Sequence, residues 1–176
     1  MKHYPGFIIT HQTFAERIGL PDEFSAAVGR VTLSFSDLES ALSDSIEKLL
    51  KLDFTTAQII TAELSFKNKV HLFASLVRNM SSTHKFNTGN APVSEVLDEL
   101  VACLFRAEQL RNQVFHSSYS RPDLSDSVKR QKITAKATKG FQIQEQSVDS
   151  SYIIDVADFI GEMATSLIEF LWGFGE

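Results

Sequence analysis

The stretch LRNQVFHSSY, residues 110–119, brings Arg111, Asn112 and His116 within two helical turns of one another. Each residue type suits a separate task in proton transfer on an anionic substrate. Histidine, with an unperturbed pKa of about 6.5, both accepts and donates protons near neutrality. Arginine stays charged, and its planar fork matches phosphate oxygens as negative charge builds on them. Asn112 and His116 stand four residues apart on a face next to that of Arg111, so the three side chains converge if the helix ends near His116. Ser117, Ser118, Ser120 and Pro122 predict such an end. Asn112 is then placed to orient either partner by hydrogen bonding.

Four long amphipathic stretches are available to position these residues. After Pro21, a residue suited to a helix start, Phe24, Val28, Val31, Phe35, Leu38, Leu42, Ser45, Leu49 and Leu52 recur at spacings of four and three. They predict a helix over 22–52. Ile59, Ala62, Phe66, Val70, Phe73, Val77 and Met80 continue the period in a second helix, 55–82, until SSTHKFNTGNAP breaks it. A third helix, 92–117, has Val93, Leu97, Leu100, Leu104 and Ala107 on its stripe and ends in the opening motif. A fourth, 149–173, carries Ile153, Ala157, Ile160, Ala164, Leu167 and Leu171. Such stripes bury one another most simply as a four-helix bundle, so the expected class is all-α. Between helices three and four, KITAKATKGFQIQEQ alternates with period two and predicts a β-hairpin insert over 129–147. Its turn has Gly140 in the left-handed position. Ile133, Ala135, Ala137, Phe141 and Ile143 share one face, with Lys132, Thr134, Lys136 and three glutamines on the other.

Composition narrows the class further. A chain of 176 residues with 43% hydrophobic content supports one core, hence a single domain over 1–176. Residues 1–20 read as an N-terminal arm, with a short helix around THQTFAERIGL. A net charge of −5 argues against coating nucleic acid through a broadly basic surface. Fourteen phenylalanines against one tryptophan point to a phenylalanine-packed interior. The single Cys103 excludes an internal disulfide framework and reads as a small core residue. No leader-like segment or bilayer-length apolar run is seen, so a cytoplasmic location without membrane contact is expected. His3, His11, His71, His84 and His116 are scattered, and no His-x3-His or Glu-x-x-His spacing occurs, so no metal is expected. No glycine-rich phosphate loop is present, so nucleotide hydrolysis has no support, and no cofactor is expected.

Two explanations of Arg111 stand side by side. It falls at the centre of the third helix's apolar stripe, where a charge needs a partner. Glu39 or Asp44 on the first helix would supply one, with His116 favoured at the helix C-terminus. Alternatively, the cation is kept for an external anion.

RNQVFH resembles the Arg-x4-6-His motif of HEPN domains (higher eukaryotes and prokaryotes nucleotide-binding), including the asparagine that commonly follows the arginine. Its place at the end of a long third helix is similar too, and the resemblance covers residues 22–174. It implies a metal-independent endoribonuclease cleaving single-stranded RNA, of the kind found in toxin–antitoxin and other defence systems. Two copies of the motif would meet across a homodimer. His116 would be the acid/base that helps a 2′-hydroxyl attack the adjacent phosphate or protonates the leaving 5′-oxygen, and Arg111 would hold the phosphate. Some relatives carry a tyrosine two residues after the histidine as a nucleotidylation site. Ser118 stands there in this chain, and Tyr119 follows, which puts that mode of control in doubt. Lys129, Arg130, Lys132, Lys136 and Lys139 cluster on the hairpin; Lys132 and Lys136, with Tyr119, are the candidate substrate contacts. The alternative is a non-catalytic HEPN-like bundle that binds a nucleotide or a partner protein, such as a cognate antitoxin.

Overall fold

The computed structural model describes residues 2–4, 7–9, 19–121, 128–136, 140–172 and 174. Two short strands, β1 (Lys2–Tyr4) and β2 (Phe7–Ile9), pair antiparallel with Tyr4 opposite Phe7. The helix expected around residues 10–20 lies largely outside the described residues. Helix α1 (Asp22–Leu50) starts at Pro21, with Asp22 and Glu23 where the N-terminal dipole favours acids. Lys51, at φ 54°, stops it in a left-handed cap. The Leu52 amide closes on the Glu47 carbonyl at 3.2 Å, so Leu52 falls outside the helix.

The expected second helix is two helices. Asp53 caps α2 (Phe54–Ala62) by accepting from the Thr56 amide at 3.1 Å. The chain then breaks at Glu63–Ser65, and the Ser65 hydroxyl caps α3 (Phe66–Met80) by accepting from the Asn68 amide. The break turns α2 onto a different face: Ala57 and Thr61 are buried, whereas Ile59 and Ala62 are exposed.

Helix α4 (Val93–Phe115) and helix α5 (Ser150–Phe170) follow the expected stripes, with Leu97, Leu104, Ile153, Ile160 and Leu167 fully buried. Asp149 caps α5 through the Tyr152 amide at 2.9 Å. The long helices α1, α3, α4 and α5 contribute to one core. Aromatic residues fill much of it: Phe35 lies against Phe66 with centroids 4.8 Å apart, and Phe86 stacks on Phe170 at 5.2 Å.

The insert is a three-stranded antiparallel sheet in the order β3-β4-β5, from β3 (Ser118–Ser120), β4 (Val128–Lys136) and β5 (Gly140–Val148). Gly140 has φ +67°, the left-handed geometry expected of the turn, while residues 137–139 lie outside the described residues. Ile133 pairs with Ile143, and Ala135 with Phe141, which keeps the apolar residues on one face. That face is not covered: Ile133, Phe141 and Ile143 are all exposed. The protein is therefore mostly helical, with a small antiparallel sheet at the end of α4. No described helix is long and apolar enough to cross a membrane.

Candidate active site

Arg111 sits on the penultimate turn of α4 and is half-buried against α1. Its guanidinium carbon lies 4.7 Å from the Phe35 ring centroid and 5.5 Å from that of Phe115. Its Nη1 donates to the Asn112 Oδ1 at 2.8 Å, so the structure brings these two candidates together. An ion pair with Glu39 or Asp44 would account for the burial, but neither forms. Among the described residues Arg111 has no carboxylate within 4.0 Å. Aromatic faces hold the cation, worth roughly 0.5–2 kcal/mol each, without neutralising its charge.

Glu39 is engaged elsewhere. Its Oε1 accepts from the Lys69 Nζ at 2.9 Å, and the Lys69 side chain is only 8% exposed against 39% for Glu39. Lys69 belongs to the apolar stripe of α3, three residues after Phe66 and four before Phe73, where it needs this carboxylate. Glu39 and Arg111 still face the same groove, a pocket of about 250 Å³ between α1 and α4 completed by Thr32, Phe35, Ser36 and Phe115. The pair predicts an asymmetry between variants. Glu39→Ala strands a buried cation and is expected to cost about 1–3 kcal/mol, less than a fully buried pair because Glu39 is partly wet. Lys69→Met is expected to be nearly neutral, and urea denaturation of the two variants measures the difference.

His116 is the C-cap of α4. Its amide donates to the Asn112 carbonyl at 3.0 Å, and its side chain is exposed. Among the described residues the imidazole has no hydrogen-bond or ion-pair partner, and none joins it to Arg111. Within one chain, then, the cation and the imidazole share the end of α4 with no hydrogen bond between them.

Tyr119 turns inward. Its hydroxyl donates to the Val114 carbonyl at 2.8 Å, and its ring meets Phe24 edge-on at 5.3 Å. The hydroxyl is committed to the end of α4, which makes Tyr119 a packing residue and leaves its role as a substrate contact without support. Burial pushes its pKa up to about 12, opposed by the Arg130 charge and reinforced by Tyr152. The folded value lies above the ordinary value near 10, so this tyrosine's share of stability is complete below pH 10 and lost as the pH rises through 12. Tyr119→Phe is expected to cost about 1 kcal/mol at neutral pH, and thermal melts should show the gap to wild type closing between pH 10 and 12.

Among the described residues the basic side chains of the hairpin do not form one surface, and Lys139 lies outside the described residues. Arg130 is buried: its Nη2 donates to the Gln146 Oε1 at 2.6 Å, its guanidinium lies 5.9 Å from the Tyr152 ring, and its Nη1 has no hydrogen-bond partner among the described residues. Lys129 and Lys132, three residues apart on β4, point to opposite faces. Lys132 follows Gln131, which pairs with Ser118 two residues after His116, so it is the lysine nearest the motif in register. The backbone of Lys136 closes the hairpin opposite Gly140; its side chain lies outside the described residues.

No set of three or more histidine, cysteine or acidic residues suited to a metal is found among the described residues. Cys103 is half-buried and free. The chain matches no known family model, and no curated protein or solved structure is significantly similar to it.

Proposed function

We propose that the chain is a metal-independent endoribonuclease of single-stranded RNA with a HEPN-like four-helix core, acting as a homodimer in a toxin or defence system. The observation that carries this reading is the state of Arg111, a half-buried guanidinium without an ion-pair partner among the described residues, beside an open groove. A structural role would have claimed Glu39, but Lys69 holds it. An unneutralised cation at a wet edge suits a phosphate.

In the proposed reaction Arg111 holds the phosphate, braced by Asn112. His116 of one copy takes the 2′-hydroxyl proton as the O2′–P bond forms, and His116 of the other protonates the 5′-oxygen as the P–O5′ bond breaks. The products are a 2′,3′-cyclic phosphate and a 5′-hydroxyl. RNA supplies its own nucleophile, so the step needs no serine, cysteine or metal from the protein.

Incubating the purified protein with single-stranded RNA in excess EDTA tests this. Fragments ending in 2′,3′-cyclic phosphate are expected from wild type; intact RNA, or equal cleavage by His116→Ala protein, overturns the reading. A second reading, a non-catalytic module that binds a partner protein, draws on the exposed apolar hairpin face of Ile133, Phe141 and Ile143. Intact RNA together with capture of a cognate partner through that face would favour it.

A further inference from the structure

The groove beside Arg111 is more than an anion site. A phosphate on the guanidinium accounts for Arg111 but leaves Glu39, on the same wall, without a matching ligand group. Glu39 is tethered by Lys69, a buried lysine that the proposed proton transfers do not use. A carboxylate only accepts hydrogen bonds, so the matching ligand edge presents donors. Phe115, exposed on the last turn of α4, carries the Arg111 guanidinium 5.5 Å from its ring centroid, and the ring face that the guanidinium leaves free can take a flat group by stacking. The volume of about 250 Å³ lies just below the range of pockets that take drug-sized ligands, which suits one base better than several.

Among the RNA bases, guanine alone places two donors, N1–H and the 2-amino group, side by side on its pairing edge. Adenine and cytosine set a ring acceptor next to their amino group, and uracil flanks its single N–H with two carbonyls, so each would turn a lone pair toward the carboxylate. We propose that the groove between α1 and α4 is a guanine subsite, with Glu39 as its specificity-determining residue, Phe115 as the stacking face and Lys69 as the positioning residue. The assignment rests on the ribonuclease reading for its place beside the scissile phosphate, and it names the base next to which the RNA is cut.

Two measurements test it. In the first, guanosine, adenosine, cytidine and uridine 3′-monophosphates are titrated calorimetrically into wild-type and Glu39→Gln protein. Guanosine monophosphate is expected to bind wild type at least about tenfold tighter than the others, as a bidentate base contact allows, and Glu39→Gln is expected to erase that preference. In the second, fragment ends are mapped on an RNA of mixed sequence in excess EDTA, and cuts are expected next to guanosine. Cleavage without base preference, with four equal affinities, overturns the subsite and leaves the nuclease standing. Selective guanosine binding without cleavage does the reverse. A preference that survives Glu39→Gln removes Glu39 from the role. If that variant fails to fold, Lys69→Met removes the tether and the buried charge together; it is expected to weaken the preference, and an unchanged preference overturns the proposal.

Discussion

Replacing His116 with alanine is expected to slow RNA cleavage in excess EDTA by about 10²–10⁴-fold, the usual contribution of a positioned acid or base. Arg111→Ala is expected to lose about 10²–10³-fold, as when one fixed donor to a developing oxyanion is removed. The structure explains why the two losses should be separable from stability. The His116 side chain is exposed at the end of α4, so its removal should leave the unfolding free energy unchanged within about 0.5 kcal/mol. Arg111 gives up its contacts with Phe35 and Phe115, so a modest loss is expected there. Arg111→Lys is the sharper probe: it keeps the charge but loses the planar fork, and a rate close to that of the alanine variant would identify bidentate phosphate contact rather than bulk charge. Timed gel assays over a protein dilution series give these ratios and, through their concentration dependence, test the need for two copies.

Much of this arrangement is legible in the chain. The stripes of α1, α4 and α5 recur at spacings of three and four over many turns, and most of their apolar residues are buried as the period requires, with Val28, Val93 and Ala164 partly buried. Arg111 stands out for the same reason, as a cation on an apolar stripe. Lys69 carries an equal signal between Phe66 and Phe73, but its partner Glu39 lies thirty residues away on another helix, a link that no local spacing encodes.

The break at Glu63–Ser65 contains neither proline nor glycine. A single serine cap decides it, and periodicity runs straight across such a site. Strand β3 is three residues long, too short for any alternation to be read, and exists because β4 returns to it. Alternation assigned the hairpin faces but not their surroundings. Whether Phe141 and Ile143 meet a core depends on where the helices stop, which no local pattern encodes.

Phe73→Ala is expected to be the most damaging single change to the fold, costing about 3–5 kcal/mol out of a total that for domains of this kind is about 5–15. Phe73 is 0% exposed at the middle of α3, and its ring meets Phe170 of α5 edge-on with centroids 6.2 Å apart. Removing the ring empties the junction between these two helices, and the rigid turns around it cannot collapse far enough to refill the space. Phe54→Ala is the matched control: the same atoms are deleted from a residue that is 66% exposed at the start of α2, and a change within about 0.5 kcal/mol is expected. Urea unfolding followed by far-UV circular dichroism separates the two, with a lower midpoint and an unchanged slope expected for Phe73→Ala. Comparable midpoints would mean that α3 does not pack on α5 through this ring.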